Sequence, residues 1–388
     1  MPEAVIVDAV RTPIGRAFKG SLASLRPDDT AAFTVDQLLE RNPGLDPALV
    51  EEVITGCGFP QGKQAFNIGR IVALLSEKLP QTVNGVTVSR YCASGLDAIR
   101  YAANNVKAGQ GDVYIAAGVE FVSQYNERQE AAGLADQNEL LQGKEPGQPN
   151  VYIQMGDTAV NVANKYGVTR EAMDEYAQRS QELAVQSQES GFFDREIIPV
   201  TLPDGTVVSK DDGPRASSSL EKLASLPEAF EGGGGVTAGN SCPLNDGAAA
   251  ALIMSDEKAK ALGLTPRARI ITAATAGNEP EYMGVAPIGA IKKALDRAGM
   301  TIADVDTVEL NEAFAAQVIP IMDECGISLD KMNPHGGAIA LGHPFGQTGV
   351  RIMTTLLNGL ESDDKTIGLE TMCVAGGQGE AMIVERLS

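Results

Sequence analysis

The chain has 388 residues, 43% of them hydrophobic and 42 of them glycine, and carries a formal charge of −20. That acidity argues against a nucleic-acid binder or an anionic-membrane binder, because a polyanionic ligand then needs a local basic pocket. Tryptophan is absent, no apolar run reads as a membrane span, and no signal-peptide pattern opens the chain, so a cytoplasmic location is expected. AVIVDAVRTP (4–13) is apolar and β-branched and reads as a strand, and DDTAAFTVDQLLERNPG (28–44) reads as a helix with Gly after its end. VEEVITGCGF (50–59) is a second strand, AFNIGRIVALLSEKLP (65–80) a helix and VNGVTVSR (83–90) an alternating strand. GLDAIRYAANNVKAGQG (95–111) is a helix with Leu96, Ile99 and Val106 among its apolar positions, and DVYIAAGVEF (112–121) is a buried strand. This alternation predicts α/β layering.

From residue 121 the pattern breaks. SQYNERQEAAGLADQNELLQGKEPGQPN (123–150) is polar and irregular, a charged helix follows at 169–191, and the run EGGGG (231–235) comes before strand and helix signals return at 246–263. Residues 121–244 read as an inserted loop domain, with 1–120 and 245–268 forming one half and 269–388 the other. The last third repeats the first in outline: a strand at 268–276, a helix at 286–300, a strand at 305–310 and a helix at 311–326 that Pro320 distorts. CASGLDAIR (92–100) aligns with HPFGQTGVR (343–351) through Gly95/Gly346 and Arg100/Arg351. Cys92 then corresponds to His343, and both segments open a helix, which predicts two similar halves.

Five cysteines, odd in number and without a CxxC pair, argue against a disulfide framework or a zinc site. Cys92 lies just before a helix, where the unpaired N–H groups and the helix dipole favour a thiolate and lower its pKa; a small residue at a tight turn is the plainer reading. His343, its counterpart, supplies an imidazole on the opposite side of one site, or else caps the loop before Pro344. The only other histidine, His335, has no visible partner and is assigned a structural part. Cys373 ends a strand before the turn AGGQG, whose N–H groups can hold an oxyanion, and a thiol of pKa about 8.5 can serve as acid or base; a hairpin with a buried cysteine is the alternative. Asn311 either caps the following helix or orients a water beside His343. GFPQGKQ lacks phosphate-loop spacing, and the GGGG run has no dinucleotide-binding context.

Together these stretches resemble the thiolases over essentially the whole chain, through CASGL with Cys92, NEAF with Asn311, GGAIALGHPFGQTG with His343 and CVAGGQG with Cys373, in that order; TAGNSCPLNDGAAA and MGDTAVNVA add support. The resemblance implies an α/β thiolase fold, two βαβαβαββ halves in a layered α/β/α/β/α core with an inserted loop domain. It implies an acyltransferase in which His343 takes the proton of Cys92, Cys92 carries the acyl group, and Cys373 moves protons to and from the departing enolate and incoming CoA. One oxyanion site uses His343 and a water held by Asn311; the other uses the N–H groups of Cys92 and Ala375. CoA and acyl-CoA are expected as substrates and partners, with no permanently bound cofactor or metal and a homotetramer or dimer as the assembly. Arg215 is implied at the nucleotide end, and Met155, Phe230, Ala313 and Phe314 along the pantetheine channel, with Cys242 beside the pantetheine. Three departures stand out. Ala375 replaces a glycine, which requires backbone angles open to a Cβ. Cys242 stands where serine is common. Gln154 precedes Met155 where short-chain members often carry histidine, which argues against specificity restricted to acetoacetyl-CoA. A related condensing enzyme and a non-catalytic CoA or lipid binder are the rival readings; the Cys373 motif separates the first, and intact Cys92, His343 and Cys373 oppose the second.

Overall fold

The computed structural model describes residues 2–125 and 136–388; part of the polar stretch after residue 121 therefore lies outside the described residues. The first half runs β1 (Ala4–Arg11), a short β2 (Gly15–Arg16), α1 (Pro27–Arg41), β3 (Glu52–Cys57), α2 (Ile68–Leu75), β4 (Asn84–Val88), α3 (Ser94–Lys107) and β5 (Val113–Phe121). The segment that follows holds α4 (Met155–Tyr166), α5 (Arg170–Glu189) and the small ribbon of β6 (Val200–Thr201) and β7 (Val207–Val208). β8 (Asn245–Ser255) returns to the main sheet. The second half runs β9 (Ala268–Gly277), α6 (Pro287–Ala298), β10 (Thr307–Leu310), α7 (Ala315–Cys325), α8 (Phe345–Ser362), β11 (Ile367–Val374) and β12 (Gln378–Arg386).

Two equivalent strand orders meet edge to edge. In the first half β4 and β5 flank β3 in parallel, then β8 pairs antiparallel with β5 and β1 with β8. In the second, Met332 bridges β10 in parallel where a third strand would lie, β11 runs parallel to β10, and β12 and β9 follow antiparallel. β1 and β9 join the halves through Val5 with Arg269 and Ile6 with Ala268.

Three buried clusters fill the layers. β1, β5 and β8 are buried at every residue, as continuous apolar strands covered on both faces must be. The outer cluster of the first half includes Val35 and Leu38 of α1 and Val72 of α2, and that of the second includes Ile291 of α6 and Val318 of α7. The middle cluster is made by α3 and α8, with Leu96, Ile99, Val350 and Leu356 packed between both sets of strands. These helices cross backbone to backbone: a Cβ on Gly95 would lie 2.6 Å from the Gly346 carbonyl oxygen, and one on Gly349 would lie 2.2 Å from the Leu96 nitrogen. The shared glycine of the sequence repeat is thus a packing requirement. The crossing brings the N-termini of both helices together.

Two expectations about elements change. The helix at 65–80 spans only Ile68–Leu75, because the Ser76 hydroxyl donates to Asp36 and turns the chain. The helix at 311–326 begins at Ala315, with Phe314 rather than Asn311 at its cap position, and continues through Pro320 to Cys325.

Buried ion pairs and carboxylates fasten the segment after β5 to both halves. The Arg11 guanidinium, fully enclosed, donates to Glu196 at 2.7 Å and to Asp211 at 2.7 and 2.9 Å. Glu312 accepts from Tyr176 (2.8 Å) and Ser180 (2.6 Å) of α5, and from Asn333 (2.8 Å) and the Ile339 N–H (3.2 Å). Breaking such a satisfied buried group is costly, so α5 is held firmly beside the second half.

Candidate active site

Cys92 sits in a single 3-10 turn, Tyr91–Ala93, that leads straight into α3. Tyr91 occupies the left-handed region at φ 43°, an uncommon conformation for a bulky residue, and this sharp corner aims Cys92 into a cavity of 580 Å³. Tyr91, Met155, Phe345 and Ala375 share its wall. The Ala375 N–H is near enough to the Cys92 sulfur to favour its thiolate. Contrary to the expected lowering, burial pushes the Cys92 thiol well above its ordinary range, and the nearby Cys373, Cys242 and Glu120 groups add to the rise. The helix N-terminus is present, but the site is too enclosed for it to dominate. Cys92 is a thiol at rest and needs a base.

His343 lies two residues before α8 and is 1% exposed. Its backbone N–H donates to Asn245 Oδ1 at 3.0 Å, and its ring meets Phe345, a wall residue of the Cys92 cavity, edge-on at 5.0 Å between centroids. Nδ1 is 2.7 Å from Thr348 Oγ1, whose own proton goes to the Pro344 carbonyl at 2.8 Å. Thr348 therefore accepts from Nδ1–H, which assigns the tautomer and leaves the Nε2 lone pair as the acceptor. Asn311 Nδ2 donates to Nε2 at 3.2 Å, and Asn311 Oδ1 is buried without a partner among the described residues. Burial, and secondarily the charge of Arg351, push the imidazole down to about 3. His343 is thus neutral at physiological pH. Among the described residues no direct hydrogen bond joins it to Cys92. The resting pair is neutral thiol and neutral base.

Cys373 is the next-to-last residue of β11, a buried cysteine of the β11–β12 hairpin that stands before the glycine turn. Gln317 Nε2 donates to its sulfur at 3.0 Å, but burial outweighs that bond and pushes the thiol up to about 11. In the turn the left-handed angles fall on Gly376 and Gly377, both at φ 79°, and not on Ala375. The methyl of Ala375 therefore costs the turn nothing, and the N–H is kept.

A second cavity, of 540 Å³, lies under the segment after β5 and is lined by Arg16, Arg215, Lys222, Ser241 and Cys242 among others. Neither Arg16 nor Arg215 has an acidic partner among the described residues; burial first, then the charge of Arg16, depresses the Arg215 pKa. Burial pushes the Cys242 thiol up to about 12. Met155, expected along the pantetheine path, lines the cavity of Cys92. Phe230 packs on the first turn of α4 at Gly156 and meets Phe314 edge-on at 6.2 Å. Ala313 accepts the Cys242 N–H at 2.9 Å. His335 stacks on Phe192 at 3.7 Å, with Asp363 at 3.9 Å.

Sequence reasoning missed Gln317, Thr348, Glu120 and Arg16. Thr348 lies within the quoted GHP stretch and Gln317 three residues beyond NEAF, yet only tertiary packing shows what they touch. Glu120 accepts from the Gly58 and Gly346 N–H groups at 2.7 and 3.0 Å, and burial holds it up at about 6.

The sequence profile of the thiolase N-terminal domain matches residues 4–257, and that of the C-terminal domain matches 264–386. The chain belongs to the thiolase family and is an acyltransferase working by CoA-dependent thiolytic cleavage. It is 43% identical to a 3-oxoadipyl-CoA/3-oxo-5,6-dehydrosuberyl-CoA thiolase of Escherichia coli (strain K12), over 100% of both chains. It is 44% identical to a 3-ketoacyl-CoA thiolase of Saccharophagus degradans, over 99% of this chain and 98% of that one. The crystal structure of the Bacillus anthracis acetyl-CoA acetyltransferase superposes with a TM-score of 0.91 at 39% identity, covering 100% of this chain and 99% of the other.

Proposed function

We propose that this protein cleaves 3-ketoacyl-CoA to acetyl-CoA and an acyl-CoA two carbons shorter, through an acyl group carried on Cys92. The observation that carries the assignment is the convergence of the two helix starts: a thiol facing one cavity and, behind its wall, an imidazole kept neutral whose Nε2 is the acceptor and takes a hydrogen bond from Asn311 at rest. His343 takes the Cys92 proton, and the thiolate attacks the C3 carbonyl. The C2–C3 bond breaks, its electron pair passes to the acetyl-CoA enolate, and Cys373 protonates C2. The Cys373 thiolate then takes the proton of incoming CoA, whose sulfur displaces Cys92, and His343 returns the first proton.

The reading gives the oxyanions separate holders. His343, with a water beside Asn311, serves the enolate, and the Cys92 and Ala375 N–H groups serve the tetrahedral intermediate; each such contact is worth about 3 kcal/mol. Arg16, Arg215 and Lys222 suit the phosphates of CoA, supplying local positive charge against the acidic whole. Met155, Phe230, Ala313, Phe314 and Cys242 belong to the walls between that groove and Cys92. CoA enters as substrate, with no permanently bound cofactor in this scheme.

Placement in β-oxidation, in the cytoplasm, as a homotetramer or dimer belongs to the same reading. The five unpaired cysteines suit a reducing compartment, and among the described residues no helix is long and apolar enough to cross a membrane. Exposed Leu140 and Tyr152 on the segment after β5 suit a subunit contact.

The test is CoA-dependent cleavage of purified 3-ketoacyl-CoA, with acetyl-CoA and the shortened acyl-CoA followed by mass spectrometry. Cleavage by the native protein and none by Cys92→Ala is expected. Undiminished cleavage by Cys92→Ala would remove Cys92 from its part, and no cleavage by the native protein at any chain length would remove the function.

A further inference from the structure

The relatives fall into two named groups at nearly equal identity, one named for an acyl chain that ends in a carboxylate and one named for 3-ketoacyl-CoA in general. Identity does not choose between them, but the cavity at Cys92 does. Its described wall is built from Phe18, Phe59, Val122, Met155, Leu244 and Phe345, with no Lys, Arg or His among the described lining residues. The rim is open, with Phe18 and Leu244 exposed, but a terminal carboxylate drawn in against Val122 and Cys92 would lose water without meeting an opposite charge among the described residues, which is disfavoured.

The polar side chains of the wall do not supply the missing partner. Ser123 Oγ bonds to Asp246 Oδ2 at 2.5 Å, and its N–H donates to Asp246 Oδ1 at 2.9 Å. The Tyr125 hydroxyl donates to Glu120 Oε1 at 3.1 Å. Both hydroxyls are already committed to carboxylates, which stand directly behind the wall and would repel a third. The Tyr91 hydroxyl is the remaining donor, and it is neutral. The second cavity is the reverse, carrying Arg16, Arg215 and Lys222. Among the described residues, cations stand where the thioester's phosphates would lie and none lines the cavity where its acyl tail would end.

Resting on the thiolase reading above, we propose that the acyl cavity selects 3-ketoacyl-CoA with an uncharged hydrocarbon tail and rejects chains ending in a carboxylate. The specificity arises mainly from the penalty on the wrong substrate, since a hydrophobic pocket alone discriminates weakly between tails of similar shape.

Two measurements test this. In the first, native protein cleaves the matched six-carbon pair 3-ketohexanoyl-CoA and 3-oxoadipyl-CoA. kcat/KM should favour the uncharged substrate by about 100-fold or more. The terminal methyl ester of 3-oxoadipyl-CoA should recover to within about tenfold, which isolates charge from length. Equal or better cleavage of 3-oxoadipyl-CoA would overturn the proposal while leaving the thiolase reading standing. The second needs no turnover: hexanoyl-CoA and adipoyl-CoA are titrated against Cys92→Ala by calorimetry. Hexanoyl-CoA should bind at least about tenfold tighter, and equal affinities would overturn the proposal even if no cleavage were ever seen. Leu244→Lys, at the half-exposed rim, should narrow the cleavage ratio about tenfold or more; an unchanged ratio would remove the missing cation as its cause.

Discussion

The two halves share a strand order and a helix crossing, yet their equivalent corners do opposite electrostatic work. At the start of α3 burial raises Cys92, and at the start of α8 burial lowers His343 to about 3. The cause is one and the same, because low-dielectric surroundings disfavour whichever form is charged. Both groups are therefore neutral at rest, and proton transfer waits for a substrate that can stabilise the ion pair. The arginines that the repeat aligned also differ. Arg100 is 2.5 Å from Asp97 and 3.2 Å from Glu380, whereas Arg351 is enclosed and, among the described residues, has no carboxylate within ion-pair distance and leaves Nε and Nη1 unpartnered. The duplicated scaffold supplies position, and local burial and neighbours decide chemistry.

The largest way to break the comparison is to remove the nucleophile. Cys92→Ser should lower turnover by about 10⁴-fold or more while leaving the thermal transition in place, because a hydroxyl in the same enclosure is far harder to ionise than a thiol. Wild-type-like turnover in that variant would sink the mechanism. His343→Asn should slow single-turnover acylation of Cys92 by roughly 10²- to 10⁴-fold; an unchanged acylation rate would take His343 out of its role. The same histidine leaves a mark on stability. Its folded pKa is depressed to about 3, so protons bind the unfolded chain first as pH falls below about 6.5. Its contribution is present in full above that value and is lost between it and about pH 3, so denaturation midpoints of His343→Asn should fall less over that window than those of the native protein.

Much of this was legible in the sequence because packing and chemistry demanded the same residues. Gly95 and Gly346 matched in the repeat because the helices touch there, and Cys92 and His343 matched because both precede that contact. The continuous apolar runs of β1, β5 and β8 gave the covered sheet directly. Depth was not legible: the helix start argued for a depressed thiol pKa, and only the three-dimensional enclosure shows burial winning. Nor were partners distant in sequence. Asn311 read either as a helix cap or as the holder of a water beside His343; the helix begins at Ala315, which removes the cap reading and leaves the amide to His343. Gln317 and Thr348 carried no signal of their own, since a glutamine or threonine inside a helix is more often solvent-facing or back-bonded to the chain.

The arginine pair gives a smaller and sharper test. Arg100→Met should destabilise by about 2 kcal/mol or more, because Asp97 and Glu380 are left enclosed with one guanidinium fewer. Arg351→Met should change stability by less than about 1 kcal/mol, since a methionine fills the space without an unpaired charge. The Arg351 charge also helps depress His343, so this variant should move the acid limb of the acylation rate to higher pH. Equal destabilisation by the two substitutions would show that the two sites are alike after all.

The smallest effect probes one more symmetry. After the parallel strands β3 and β10, each half places a glutamine next to an acid at the end of its neighbouring strand: Gln64 donates to Glu120, and Gln317 donates to Cys373 at 3.0 Å. In the first half the acid is a carboxylate held up at about 6, and in the second it is a thiol at about 11. The Gln317 bond is what lowers Cys373 against burial, so removing it should raise the thiol further. Gln317→Ala should slow exchange of the acetyl-CoA α-protons into deuterated water by about tenfold, the worth of one side-chain hydrogen bond to a charged sulfur, and move its alkaline limb upward. Acylation of Cys92 in a single turnover should be unaltered. A fall in both rates together would mean that Gln317 supports the packing of the whole site; a fall in exchange alone, with the shifted limb, would mean that it sets the proton affinity of Cys373. Gln64→Ala gives the matching control in the other half, where Glu120 holds the backbone of Gly346 and a loss should appear in stability before it appears in exchange.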